Sequence, residues 1–167
     1  MIVDTHFETN YKPVARLILL APVVFALHVI EEAPGFVAWF NAHVDRGITP
    51  ELFMSVNIAG GIITLLVVGI VWATPSTPSL LIEVAWLSLL MFANGIFHIV
   101  ATVVDRAYCP GVITSAVLYL PYFGWVVTKI LRARLMSWSA ILLATIFGAL
   151  PMLVHGYRIV FLRSRLF

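Results

Sequence analysis

Five long apolar runs divide the chain, at residues 14–31, 51–73, 79–104, 111–131 and 135–161, with short polar stretches between them. A helix needs about 20 residues to cross a hydrocarbon core, and each run is of that order. The pattern predicts an all-α, polytopic membrane helix bundle with five transmembrane helices. Residues 1–167 form one membrane domain, with no segment left over for a soluble one. The breaks are marked by local chemistry. Pro34-Gly35 ends the first helix. Thr49 is placed to cap the second, with Pro50 in its first turn. Thr74-Pro75-Ser76-Thr77-Pro78 is a polar turn between the second and third spans, and Tyr108-Cys109-Pro110-Gly111 opens the fourth.

Residues 36–48 follow the first span directly. Their apolar members Phe36, Val37, Trp39, Phe40 and Val44 need burial, so the segment is either an interfacial amphipathic stretch or an ordered loop that covers a cavity mouth. Its position next to a polar cluster favours the cover. The leader before the first run mixes Asp4 and Glu8 with Lys12 and Arg16, which does not fit the basic n-region of a cleaved signal peptide.

Composition agrees with a membrane protein. Hydrophobic residues make up 62% of the chain and charged residues 11%, too few to solvate a globular surface of this size. The net charge of +2 is small and scattered, which excludes a nucleic-acid surface. Cys109 is the only cysteine, so no intramolecular disulfide forms. Under a five-span topology Lys12, Arg16, Lys129, Arg132 and Arg134 lie on one side, and Arg46, Arg106, Arg158, Arg163 and Arg165 on the other. The positive-inside rule therefore selects no orientation.

The same topology segregates the polar residues. The end of span one, the start of two, the end of three, the start of four and the end of five share one side. That side carries His28, Glu31, Glu32, Asn57, Asn94, His98, Tyr108, Thr114 and His155, and the other offers little beyond Glu83, expected as an interfacial or N-terminal helix charge near the start of span three. A charge near mid-bilayer costs about 2.5–3.5 kcal/mol on insertion scales, so such groups pair, bind an ion or do chemistry. In His28-Val-Ile-Glu31-Glu32 all three polar groups can share one helix face, as can Asn94 and His98. His28, Glu31, Glu32, Asn57, Asn94 and His98 are expected to converge in one half of the bundle.

Neutral imidazoles and ionised carboxylates suit one divalent ion, zinc, iron or manganese. The candidate ligands are His28, Glu32, His98 and His155. Glu31, Asn57, Asn94 and Tyr108 are candidates for catalytic or orienting roles. His-x-x-Glu occurs once here rather than twice, so a carboxylate-bridged di-iron set is incomplete and a mononuclear site fits better. This makes a small intramembrane enzyme acting on a lipid or other hydrophobic substrate. The same groups could work without metal, with Glu31 or Glu32 as general acid and a histidine as base in an isomerase or cyclase. A ligand-binding or an ion- or proton-transporting protein is the competing class, against which stand the small size and the lack of inverted repeats. The plainer alternatives are that His98, Asn57 and Asn94 hydrogen-bond between helices, and that His155 snorkels beside Arg158.

His28-Val-Ile-Glu31-Glu32, Asn57, Asn94-Gly-Ile-Phe-His98 and Tyr108-Cys109-Pro110-Gly111-Val-Ile-Thr114 together resemble the signatures of the HXXEE-domain membrane proteins, over roughly residues 22–121. The resemblance implies a shared polar site and a membrane location, in a mostly bacterial family of unknown function suspected to be enzymatic; the bacterial cytoplasmic membrane is the expected location. That family often has serine before the Pro-Gly, where this chain has Cys109, which counts against a hydroxyl nucleophile there.

Overall fold

The computed structural model describes residues 5–164; Asp4 and Arg165, used above, lie outside them. Among the described residues the chain is helical throughout, without strands. The helices are α1 (Thr5–Ile18), α2 (Ala21–Glu32), α3 (Phe36–His43), α4 (Pro50–Ala73), α5 (Thr77–Leu87), α6 (Asn94–Asp105), α7 (Val112–Thr114), α8 (Leu120–Arg132) and α9 (Trp138–Leu162). Two widened π-helical segments intervene, π1 (Ser88–Ala93) and π2 (Ser115–Tyr119). Five stretches are long and apolar enough to cross a membrane: Phe7–Glu32, Pro50–Ala73, Thr77–Asp105, Val112–Arg132 and Trp138–Leu162. Each lies within a few residues of its expected run except the first, which begins well before residue 14.

The helix starts follow the capping chemistry. Thr49 Oγ1 accepts from the Leu52 N–H at 3.2 Å, Ser76 Oγ from Ser79 at 3.3 Å and Ser137 Oγ from Ala140 at 3.2 Å. The first span is interrupted at Leu19–Leu20. Pro22 has no N–H to offer the Ile18 carbonyl one turn earlier. The Tyr122 hydroxyl takes over that role, lying 3.0 Å from the Leu17 oxygen and 3.3 Å from that of Ile18. Gly148 lets α9 approach α5 so closely that a Cβ there would collide with the Ala85 carbonyl oxygen.

Packing divides in two. A large core of Tyr11, Ile18, Leu80, Leu87, Met91 and Ile130 joins α1, α5, π1 and α8. A smaller cluster of Phe40, Phe97, Cys109, Ile159 and Val160 joins α3 to α6 and α9. Outward residues such as Leu66, Phe147 and Val103 remain mostly exposed, an apolar surface that lipid rather than water must cover.

Residues 36–43 form a helix rather than a loop, and Phe36 packs against the His98 ring with centroids 5.7 Å apart. Further along α3, His43 Nε2 lies 2.8 Å from Asp105 Oδ2, and Arg163 meets the other oxygen of Asp105 at 3.1 Å. α3 is thereby tied to the ends of α6 and α9. Glu83 overturns the expectation of an interfacial charge: it is completely buried, because α4 and α9 pack along α5 and Tyr11 of α1 reaches its first turn at Ser79.

Candidate functional site

α2 delivers His28 and Glu32 one turn apart on the same face, and α6 brings His98 to meet them. Glu32 Oε1 lies 3.4 Å from His28 Nε2 and 3.0 Å from His98 Nε2. The three ligand-type atoms lie within 4.8 Å of one another, a grouping that could hold a metal ion. His28, Glu32 and His98 are 1%, 5% and 0% exposed. The 3.0 Å contact has ion-pair distance but not hydrogen-bond alignment, which leaves His98 Nε2 buried without a hydrogen-bond partner among the described residues. Buried polar atoms are rarely orphaned without a reason, a missing ion among them.

A count of protons fixes the His28 tautomer. Glu31 receives four donors: Tyr108 Oη at 2.7 Å and the Ile113 N–H at 3.0 Å on one oxygen, the Thr114 N–H at 2.6 Å and Thr114 Oγ1 at 2.5 Å on the other. A group that only accepts is a carboxylate. Thr114 therefore spends its single hydroxyl proton on Glu31, and the His28 Nδ1 at 2.8 Å must donate to Thr114 Oγ1. Nδ1 carries the proton, and Nε2 presents its lone pair towards Glu32 and His98. The Asn94 amide donates to that lone pair from 3.2 Å. His98 is arranged in parallel, with Nε2 towards Glu32 and Nδ1 3.4 Å from Cys109 Sγ. Both imidazoles thus use Nδ1 outwards and Nε2 inwards, the usual arrangement of histidine ligands with supported rings.

The turn before α7 closes the site. Gly111 has φ +102°, a conformation that favours glycine. A Cβ there would lie 2.7 Å from the His98 Cε1 and 2.9 Å from the His28 Cε1, between the two rings. Tyr119 on π2 stacks on His28 with centroids 4.0 Å apart. Both π segments abut site residues, π1 ending just before Asn94 and π2 beginning just after Thr114. Such widened turns recur at functional sites because they re-aim the side chains that follow.

Burial, and then the hydrogen bond to Glu31, push the Tyr108 phenol up to about 12. The fold favours the protonated form, so the stabilisation it contributes is complete below about pH 10, the unfolded value, and is lost as pH rises through about 12. Ultraviolet titration is expected to show one phenol, absent in Tyr108→Phe, that ionises near pH 12; ionisation near pH 10 would contradict the Glu31 contact. Burial pushes the Cys109 thiol up as well, with the nearby carboxylates adding to it, so it faces His98 as a thiol.

The structure brings together His28, Glu32 and His98, with Asn94 on His28 and Tyr108 on Glu31. The Asn57 amide donates to the Phe53 carbonyl of its own helix at 3.0 Å, and no hydrogen bond joins it to the centre among the described residues. His155 lies outside the three-residue ligand group. Gly111, Cys109 and Tyr119 have places at the site that sequence reasoning did not assign. Only the Tyr-Cys-Pro-Gly turn and its spacing from Thr114 hinted at them.

Residues 19–126 match a family described as a protein of unknown function with HXXEE motif, and His28-Val-Ile-Glu31-Glu32 lies within the matched region. No curated protein and no solved structure matches the chain.

Proposed function

The chain belongs to the HXXEE family, and we propose that it is a small intramembrane enzyme that uses one divalent metal ion on a lipid or another hydrophobic substrate. One observation carries this reading: two imidazole Nε2 atoms and a carboxylate oxygen converge in a dry pocket, each ring supported from behind through Nδ1. Donors at about 2.1 Å from a tetrahedral ion sit about 3.4 Å apart, close to the 3.4 and 3.0 Å separations around Glu32. Two histidines and one glutamate leave a coordination position open, as hydrolytic zinc sites and non-haem iron sites do. The ion would activate water or polarise a substrate oxygen. Asn94 would release Nε2 to it and turn its amide to the substrate.

A hydrophobic substrate fits the surroundings. A groove of about 150 Å³ between α6 and α9 is lined by Phe97, Val100, Gly156, Tyr157 and Phe161. Phe97 also packs on the His98 ring, with centroids 4.9 Å apart, so one side chain bounds both the apolar groove and the polar centre. The resemblance described above points to the bacterial cytoplasmic membrane as the location.

The metal-free reading keeps one supporting observation. Glu32 already lies within ion-pair distance of both imidazoles, which is the geometry of an acid/base pair. The two separate in vesicles of phosphatidylethanolamine and phosphatidylglycerol, with lipid products followed by mass spectrometry. Turnover that needs zinc, iron or manganese and stops on chelation is expected. Turnover indifferent to chelator but lost in Glu32→Gln would transfer the site to acid/base chemistry, and no turnover in either would remove the enzymatic reading for these lipids.

Thr114 reaches the centre only through His28. Thr114→Val keeps the volume and removes the acceptor for Nδ1–H. Metal affinity is expected to fall about 10- to 100-fold, the usual cost of losing a ligand's supporting hydrogen bond. Unchanged affinity in a metal titration would refute the tautomer argument.

A further inference from the structure

Glu83 lies in the half of the bundle away from the His28–Glu32–His98 centre, in the second turn of α5. It is 0% exposed, and neither carboxyl oxygen has a hydrogen-bond partner among the described residues. The ion pairs found among those residues involve Glu32 and Asp105, not Glu83. The ligand group capable of holding a metal does not include it either. We propose that Glu83 is a second, independent site whose ligand is a proton: a carboxylic acid held neutral in the closed bundle.

The groups around it leave no other way to satisfy the charge. The charged residues of the neighbouring helices, Glu8, Lys12 and Arg16 on α1 and Lys129 and Arg132 on α8, are exposed, and none pairs with Glu83 among the described residues. Tyr11 on α1 and Tyr122 on α8 lie within electrostatic reach. Both have spent their protons. The Tyr11 hydroxyl donates to the Val71 carbonyl at 2.8 Å, with Ser79 Oγ 3.0 Å away, and the Tyr122 hydroxyl is committed to the carbonyls freed at the break between α1 and α2. Ser79, one turn before Glu83, donates to the carbonyls of Thr74 and Ser76. α4 and α9 also pack on α5, but their ionisable residues, Glu51 on the one and His155, Tyr157 and Arg158 on the other, sit at the opposite end of the bundle. A carboxylate at Glu83 would have neither counter-charge nor donor among the described residues, the partners that make a buried charge tolerable. The neutral acid needs no counter-charge, and an unpaired polar group costs far less to bury than an unpaired charge.

Proton occupancy is therefore tied to closure. Glu83 can release its proton only if water or a cation reaches it. Intramembrane carboxyls of this kind recur in proton relays. A merely structural carboxylate would instead need the partner that is missing here.

Infrared difference spectroscopy on the whole protein in lipid tests this directly. Wild type minus Glu83→Gln at neutral pH is expected to show the carbonyl stretch of one protonated carboxylic acid, unaffected by metal chelation. Loss of ionised-carboxylate bands instead would overturn the proposal. Wild type alone, stepped from neutral to alkaline pH, provides the same reading should the variant fold poorly: the acid band should persist well beyond the usual carboxylate range and then give way to carboxylate. Thermal unfolding supplies a second test. The fold favours the protonated form, so wild type should lose stability relative to Glu83→Gln as pH rises, and parallel profiles would contradict a proton site.

Discussion

Gly111→Ala is expected to abolish metal binding and to destabilise the site half of the bundle. Two costs coincide at this position. Its φ of +102° is outside the range alanine tolerates without strain, a penalty of about 1–3 kcal/mol. The added methyl would also fall between the rings, 2.7 Å from one and 2.9 Å from the other. Imidazoles packed under Tyr119 and Phe36 have little room to retreat. Rings pushed apart by the methyl would no longer share Glu32 at the present 3.4 and 3.0 Å. Affinity for zinc should drop by more than about a hundredfold, equal to about 2.7 kcal/mol, with a lower unfolding midpoint. A Gly111→Ala protein with wild-type affinity and stability would show that the turn does not seat between the histidines.

Glu32→Gln is the second large effect, and it separates binding from folding. An amide can still hydrogen-bond to both imidazoles, so the bundle should keep its stability to within about 1 kcal/mol. It cannot supply the negative charge that stabilises a cation in a low-dielectric pocket. Zinc affinity is expected to fall about a thousandfold or more, roughly 4 kcal/mol. His98→Ala should lose the ion as well but with a cavity cost in stability, since His98 is completely buried beside Phe36 and Phe97. Calorimetric titration of zinc into the detergent-solubilised variants reads both. Retained affinity in Glu32→Gln would remove Glu32 from the ligand set and leave a scaffold.

Much of the architecture is legible in the hydrophobic pattern, because a membrane span is a long signal that tolerates errors of a turn. The start of the first span is not, since Pro13 and the charged residues before it hide a helix that the bundle nevertheless extends. The break at Leu19–Leu20 depends on where the Pro22-deprived carbonyl finds its donor, and that donor, Tyr122, is a hundred residues away. The site is legible to the extent that helix phase delivers it: His28 with Glu32, and the placement of Asn94 near His98 on one helix. Its support is not. Glu31 meets Thr114 across 83 residues of sequence, and nothing local in either segment predicts the pairing. Asn57 shows why an amide is a weak signal for a site, because within a helix it can satisfy itself on the carbonyl one turn back. Glu83 misleads because nearness to a helix start does not imply nearness to water when another helix packs over the same turn.

The lid described by α3 also follows from residues that composition alone leaves ambiguous. Trp39 stacks on His43 with centroids 4.2 Å apart, and His43 reaches Asp105 at the end of α6. That anchoring turns an apolar connector into a cover held at its far end, with Phe36 over His98 at its near end. It keeps the centre dry, which strengthens every charge interaction within it.

Metal content per chain is the most direct measure of the central claim. Purified wild-type protein, loaded separately with zinc, iron(II) and manganese(II) and freed of excess ion by gel filtration, should retain close to one equivalent of at least one of them by elemental analysis. Retention of none, by folded protein, would contradict the metal centre that His28, Glu32 and His98 are proposed to form.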